Sequence, residues 1–228
     1  MHRPPARPPA ALPLAALAAF GVLLGLVAAD WPPLVRWDDT VSAALRGYGT
    51  DRPVLVDWLR TLTAFAATIP FVAVGAAATV LFAVRRERRA ALFCALVTAS
   101  VPITWGIMHW ALHNPRPVDG FVVVHSSGFP SGHTSNAAAF AIALVLLVWP
   151  RAGSATRAAT LLAAAVFALF IGFTRVALLA HWPTDVIGGL LLAAALVPIA
   201  ARIANLGLAD RQDAGQSAVT GGAWPSPR

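Results

Sequence analysis

The chain has 228 residues, of which 58% are hydrophobic and only 12% are charged, and its mean hydropathy is +0.70. A soluble domain carries roughly 25% charged residues, so this composition excludes a water-exposed surface over most of the chain. The net charge is +7 and the sequence holds no lysine. Its arginines form short clusters between apolar blocks, which favours a membrane protein over a nucleic-acid-binding one.

Six apolar blocks are long enough to cross a bilayer as helices, for which about 20 residues are needed. They cover residues 11–29, 62–84, 90–112, 131–149, 158–179 and 182–203. Their small residues allow membrane helices to approach closely. The sequence therefore predicts an all-α, polytopic six-helix transmembrane bundle over residues 11–204. A basic N-terminus precedes it at residues 1–10, and a tail predicted to be disordered follows at residues 205–228.

The first block has two interpretations. It follows a basic segment and ends in Val27-Ala28-Ala29, which resembles a signal-peptidase site. Its apolar stretch is longer than that of an ordinary signal peptide, so we favour an uncleaved helix. Cleavage would leave five spans and would not change the side on which the later loops lie.

The arginine clusters predict the orientation of the bundle. They lie at the N-terminus, in the second and fourth connections and at the start of the tail, and these four segments share one face. The positive-inside tendency makes that face cytoplasmic. We therefore expect a multi-pass protein of the bacterial cell membrane with both termini in the cytoplasm. Residues 30–61 fall on the opposite face and are long enough for a short interfacial helix.

Polar residues within the apolar blocks concentrate in three segments, at 109–117, 129–134 and 174–185. Such residues are costly in a membrane and mark function by default. All three segments fall on the predicted non-cytoplasmic face. The sequence thus predicts one active site at the non-cytoplasmic helix ends.

The residue types in these segments suit a phosphate group. Arg116 and Arg175 offer forked donors that match phosphate oxygens. Ser131 and Gly132 lie at a predicted helix start, where free backbone N–H groups and the helix dipole attract anions. A Ser131 hydroxyl adds a further donor. We therefore expect these residues to bind a phosphoryl group.

His181 and Asp185 are four residues apart, about one helical turn. A carboxylate at that spacing can hold one imidazole nitrogen as N–H and leave the other free to attack. His133 is then available as a general acid. The sequence predicts His181 as nucleophile, Asp185 as its orienting partner and His133 as proton donor.

These segments resemble the type 2 phosphatidic acid phosphatase superfamily, which includes bacterial nonspecific acid phosphatases and vanadium haloperoxidases. The family pattern is Lys-x6-Arg-Pro, Pro-Ser-Gly-His and Ser-Arg-x5-His-x3-Asp. Here Arg116-Pro117, the run from Pro130 to His133, and Arg175-x5-His181-x3-Asp185 match it in order and spacing. The motifs and their helices cover residues 90–203, and the layout resembles the membrane branch of the family.

Two positions depart from the family pattern. The lysine seven residues before the Arg-Pro arginine is replaced by His109, and the serine before the third-motif arginine is Thr174. Threonine keeps the hydroxyl. Histidine has a reference pKa near 6.5. We expect His109 to join the phosphate site, and three outcomes stay open: it replaces the lysine less completely, phosphate affinity rises in acid, or activity is lost.

The resemblance implies a lipid phosphatase or pyrophosphatase that works through a phosphohistidine on His181. No cofactor and no metal are expected, because arginines supply the positive charge and Asp185 is the one carboxylate among the motif residues. The expected partner is a membrane lipid phosphate, such as undecaprenyl pyrophosphate, phosphatidic acid or phosphatidylglycerol phosphate. No nucleic-acid partner is expected, and the oligomeric state is open.

Other readings remain open at this point. A phosphotransferase could pass the phosphoryl group to a lipid or sugar instead of water, and a non-catalytic lipid binder or scramblase could use the same scaffold. Singly, Asp185 could be a helix-start cap and Arg175 an interfacial residue. Asn114 fits either the entrance of the site or a turn near Pro115.

Overall fold

The computed structural model describes residues 10–124 and 126–206. Within them the chain forms eight α-helices and two short 3-10 turns, with no strand. The helices are α1 (Ala11–Ala28), α2 (Pro32–Thr50), α3 (Pro53–Thr63), α4 (Thr68–Val84), α5 (Arg88–Ala111), α6 (Gly132–Val148), α7 (Ser154–Ala177) and α8 (Pro183–Ile203). The predicted all-α class is confirmed.

Six segments of the described chain are long and apolar enough to cross a membrane. They are Ala11–Ala28, Pro53–Val84, Arg88–Ala111, Gly132–Arg151, Ser154–Ala177 and Pro183–Ile203, so the six predicted spans are confirmed. The second differs from the prediction, which placed its start at residue 62. It begins at Pro53 because α3, the 3-10 turn Ala64–Ala66 and α4 form one apolar segment of 32 residues.

Residues 30–61 hold more helix than the single short interfacial one that we expected. The helix α2 occupies 19 residues and α3 begins three residues after it ends. Each helix starts with a proline in its first turn, where the missing N–H breaks no helical hydrogen bond. Both helices contact α7, and α2 also contacts α8. They therefore lie against the end of the bundle that carries the polar segments.

The helix α6 is central to the bundle, with contacts to α5, α7 and α8, while α1 packs on α8 and α4 on α5. Fully buried residues such as Phe93, Ala139 and Ala193 fill the space between these helices. A Cβ added to Gly189 would lie 2.8 Å from the Ser131 carbonyl oxygen. The glycine therefore allows the start of α8 to lie directly against the start of α6.

Several predictions concern parts of the chain that are not described. Residues 1–9 and 207–228 lie outside the described residues, and so does His125. The basic N-terminus predicted for residues 1–10 and the disordered tail predicted for residues 205–228 thus remain predictions.

Candidate active site

The third motif lies where α7 ends and α8 begins. Leu179 adopts a positive φ of 51°, and the N–H groups of Ala180 and His181 both donate to the Arg175 carbonyl, at 3.0 and 3.2 Å. This turn places His181 beside the first turn of α8. There, His181 Nδ1 lies 3.2 Å from Asp185 Oδ2. The predicted pair is thus in contact.

The Asp185 carboxylate is wholly buried and His181 is only 2% exposed. A carboxylate oxygen must accept, so the contact assigns the proton to His181 Nδ1 and leaves Nε2 with its lone pair. Burial lowers the pKa of His181 well below its ordinary value, and the nearby Arg116 guanidinium lowers it further. The ring therefore stays neutral, as the predicted role of His181 as nucleophile requires.

Asp185 also serves as a helix cap. Its Oδ2 accepts from the Trp182 backbone N–H at 3.0 Å, three residues before it. The cap that we considered as an alternative therefore exists beside the histidine contact. One carboxylate both starts α8 and orients the imidazole, so the helix start fixes the geometry of the pair.

Arg116 is held by the loop that carries it. Its Nε donates to the Ser126 carbonyl at 2.8 Å, and Nη2 donates to Ser126 Oγ and to the Ser127 carbonyl. Its Nη1 donates to the Ala180 carbonyl at 2.5 Å and lies 3.0 Å from His181 Nε2. The guanidinium therefore reaches the imidazole nitrogen that we predict as the attacking atom.

The loop of residues 112–131 is anchored from both sides. Trp182 Nε1 donates to the Pro115 carbonyl at 2.8 Å. On α2, Arg46 donates to the carbonyls of Val118 and Asp119, and on α3, Arg60 donates to the carbonyl of Phe121. The helices α2 and α3 thus fix the loop that carries Arg116.

The second motif forms the start of α6, as predicted. Ser131 is the N-cap, and its hydroxyl accepts from Thr134 Oγ1 at 3.0 Å. The Ser131 N–H donates to the Asp185 carbonyl at 2.9 Å, which ties this helix start to that of α8. His133 is half-buried and interacts electrostatically with Arg116, Arg175 and His181. The structure therefore brings both histidines and both arginines together.

His109 lies on the last turn of α5. Its Nδ1 donates to the Trp105 carbonyl at 3.0 Å, and its ring centroid lies 4.3 Å from that of Trp105. Its Nε2 is buried without a hydrogen-bond partner among the described residues, as is Trp105 Nε1. A Cβ on Gly132 would lie 2.7 Å from Trp105 Nε1. His109 and Trp105 therefore flank the start of α6.

Arg175 is only 4% exposed, yet its guanidinium has few hydrogen-bond acceptors around it in the described chain. Its Nη1 makes one long contact of 3.5 Å with Thr63 Oγ1, and its Nε has no hydrogen-bond partner in the described chain. Thr174 donates to the same Thr63 hydroxyl at 3.0 Å. A buried guanidinium with free donors strongly favours an anion beside it.

Asp38, an acidic residue of α2, also caps the start of α8. Asp38 of α2 is 8% exposed and accepts from the Thr184 backbone N–H at 3.0 Å and from Thr184 Oγ1 at 2.5 Å. Burial raises the pKa of Asp38 above its ordinary value, although both hydrogen bonds to Thr184 lower it. The site histidine and its partner thus sit on a helix start held by α2.

Sequence reasoning missed Asp38, Thr63 and Trp105. Asp38 was one of five acids in residues 30–61 and carried no distinguishing pattern. Thr63 and Trp105 lay within apolar blocks. The one available signal for Trp105 was its spacing from His109: the two residues are four apart, so the indole N–H and the imidazole share one helix face. In residues 10–124 and 126–206 no group of three or more His, Cys, Asp or Glu is placed to hold a metal ion.

A protein-family model described as the PAP2 superfamily matches residues 90–206. The match begins within α5, ends just after α8 and contains all three motifs. It thus covers the helices that supply His109, His133, Arg175 and Asp185.

Curated relatives named phosphatidylglycerophosphatase B, from Escherichia coli K12 and Shigella flexneri, are 40% identical over 77 residues. That stretch is 34% of this chain and spans 29% of the relatives' own length. The crystal structure of a transmembrane PAP2-type phosphatidylglycerolphosphate phosphatase from Bacillus subtilis superimposes with a TM-score of 0.71 and 24% identity. It covers 87% of this chain and 98% of that one, which shows a shared fold.

Proposed function

The chain belongs to the PAP2 superfamily, and from this premise we propose that it is a metal-independent membrane lipid phosphatase that works through a phosphohistidine on His181. The observation that carries the proposal is the buried Arg175, whose Nε has no partner in the described chain, beside a neutral His181 held by Asp185. A site with unpaired cationic donors next to a free imidazole nitrogen suits phosphoryl transfer.

Substrate binding begins at the two arginines. The phosphoryl oxygens accept from Arg175 and from Nη1 of Arg116. The Arg116 Nη1 then no longer contacts His181 Nε2, whose lone pair becomes free. The Gly132 backbone N–H and the Ser131 hydroxyl complete the cradle at the start of α6, with His109 on its flank. The dipole of α6 adds favourable potential for the negative charge.

The chemical steps follow from the proton on His181 Nδ1. His181 Nε2 attacks phosphorus in line as the bond to the lipid oxygen breaks, and His133 donates its proton to that oxygen. Neutral His133 then takes a proton from water, whose oxygen attacks the phosphohistidine. Inorganic phosphate leaves and His181 returns to its neutral form. Asp185 stabilises the positive charge on the imidazole while the N–P bond exists.

The substrate that we propose is a membrane lipid with a terminal phosphate. The names of the Escherichia coli and Shigella relatives point to phosphatidylglycerol phosphate. Phosphatidic acid and undecaprenyl pyrophosphate present a similar anionic head to the same helix ends. We further propose that these ends face outside the bacterial cell and that both termini are cytoplasmic, as the arginine clusters indicate.

The first prediction concerns phosphate release. Purified protein in detergent should release inorganic phosphate from at least one of these three lipids, measured by malachite green, in the presence of excess chelator. The His181→Ala variant should lose more than about a thousandfold of this activity, because the covalent route is gone. Trp110→Phe is the control, since Trp110 is 83% exposed on the same helix as His109.

Three results would count against the proposal. Full activity in His181→Ala would remove the phosphohistidine, and loss of activity with chelator would reject the metal-free scheme. Transfer of phosphate to an added lipid or sugar, without release to water, would favour a phosphotransferase.

A further inference from the structure

We propose that Asn114 is a positioning residue for the His181 nucleophile and acts through the Asp185 carboxylate. The inference rests on the proposed function, since it assigns a role within that same site. The Asn114 Nδ2 donates to Asp185 Oδ1 at 3.1 Å, across 71 residues of sequence. Asn114 thus joins the first motif segment directly to the nucleophile's partner in the third.

Each of the two oxygens of the Asp185 carboxylate accepts at least one hydrogen bond. Its Oδ2 accepts from the Trp182 N–H at 3.0 Å and from His181 Nδ1 at 3.2 Å, while Oδ1 accepts from Asn114. Rotation of the carboxylate about its Cβ–Cγ bond would break all three hydrogen bonds. Asn114 therefore holds Oδ2 on the imidazole, which keeps the proton on Nδ1 and the lone pair on Nε2.

Space on this side of the carboxylate is limited. A Cβ added to Gly128 would lie 2.9 Å from Asp185 Oδ2 and 3.2 Å from Asn114 Nδ2. The loop backbone at Gly128 therefore covers the Asn114–Asp185 contact. The loss of the Asn114 side chain removes the one side-chain donor that Oδ1 has in the described chain.

The donor at this position must be uncharged or positive. Asn114 borders a cavity of about 100 Å³ whose wall includes Asp30, Asp38 and Asp39. Asp38 also interacts electrostatically with Asp185. An amide supplies an N–H to Asp185 and adds no further negative charge to this acidic surrounding.

The side chain of Asn114 can be tested apart from its backbone. The backbone N–H donates to Ser127 Oγ at 3.1 Å, and the carbonyl accepts from the Gly128 N–H at 2.7 Å. Both bonds persist when the side chain is changed. Substitution therefore removes the contact with Asp185 and leaves the loop that carries Arg116 attached.

The second prediction compares Asn114→Ala and Asn114→Asp with wild type. Both variants should lower kcat about tenfold, the factor that corresponds to loss of one hydrogen bond to a charged group. KM should change less than about twofold, because the phosphate donors remain in place. The control is His113→Ala, since His113 is the exposed neighbour of Asn114.

The pH profile separates positioning from packing. The charged and titratable groups around position 114 are Asp185 and His181 on the α8 side, Arg116 in the loop, and Asp30, Asp38 and Asp39 in the wall of the neighbouring cavity. At low pH the carboxyl introduced by Asn114→Asp is protonated and can donate to Asp185 Oδ1. The ratio of its kcat to that of wild type should therefore rise as pH falls, whereas the ratio for Asn114→Ala stays flat. Equal, pH-independent ratios for both variants would overturn the proposal.

A readout without turnover keeps the inference distinct from the proposed function. In protein labelled with ¹⁵N-histidine, the His181 signals, assigned by their loss in His181→Ala, should show Nδ1 protonated in wild type and a tautomer mixture in Asn114→Ala. An unchanged tautomer together with unchanged kcat would overturn the role of Asn114. No phosphate release from wild type, with the tautomer shift present, would reject the proposed function and support the positioning role.

Discussion

Arg175 shows, at the scale of one residue, how the proposed anion site lowers the stability of the ligand-free protein. Its guanidinium is buried, and in the described chain its Nε has no partner. Desolvation of a charge without a matching anion is unfavourable by several kcal/mol before any ligand binds. The proposed phosphate supplies the missing acceptors.

The third prediction follows from this cost. Arg175→Met should raise the thermal unfolding temperature of the ligand-free protein in detergent, because a similar volume remains and the buried charge is removed. Inorganic phosphate should stabilise wild type and leave Arg175→Met unchanged. The exposed Arg85, changed to Met, is the control. Equal stabilisation of wild type and Arg175→Met by phosphate would remove Arg175 from the anion site.

At the scale of the element, α8 depends on a cap that α2 supplies. Asp38 accepts from both the N–H and the hydroxyl of Thr184, one residue before Asp185. The burial that raises the pKa of Asp38 makes its ionised form unfavourable in the folded state. Its contribution to the free energy of unfolding is therefore largest below the unfolded-state pKa and declines as pH rises through the folded-state pKa.

The fourth prediction compares two variants of Asp38. Asp38→Asn keeps the acceptor for the Thr184 N–H and removes the charge, so its unfolding temperature should gain on that of wild type as pH rises from about 4 to 8. Asp38→Ala loses the cap and should be less stable by about 1–2 kcal/mol. Unfolding followed across this pH range in detergent provides the test. A constant difference between Asp38→Asn and wild type would contradict the assignment.

These elements also show what could be predicted from the sequence. His181 and Asp185 were predictable because one helical turn separates them, and the six spans were predictable from their length and hydropathy. Asp38 and Thr63 were not, because each reaches the site across more than a hundred residues, 146 from Asp38 to Thr184 and 111 from Thr63 to Thr174. The split of residues 30–61 into two helices depends on packing against α7 and α8. Contacts between segments so far apart in the chain cannot be predicted from a local sequence pattern.

At the scale of the whole molecule, the site and the arginine cluster of residues 85–89 lie at opposite ends of the bundle. The loop of residues 112–131 gathers at the site, whereas Arg85 and its neighbours join α4 to α5 at the other end. The positive-inside tendency therefore supports our proposal that the site faces outside the cell. An exposed residue at either end can report this orientation.

The fifth prediction uses a thiol probe that does not cross membranes. Val123→Cys, at a position that is 84% exposed, should react in intact cells, and Arg85→Cys should react only after permeabilisation. The native Cys94 is buried and gives little background. The reversed pattern would place the site in the cytoplasm.

The contact between α1 and α8 has a consequence for biogenesis. Among the described helices, α1 leaves the ribosome first and packs on α8, which leaves it last, and Phe20 of α1 lies 5.6 Å from Phe129 between ring centroids. Until α8 emerges, α1 must persist in lipid without its partner, which fits the highest mean hydropathy of the six spans, 2.4. A nascent chain lacks Asp185 until α8 is synthesised, so the predicted pair of His181 and Asp185 can form only once α8 has joined the helices made before it.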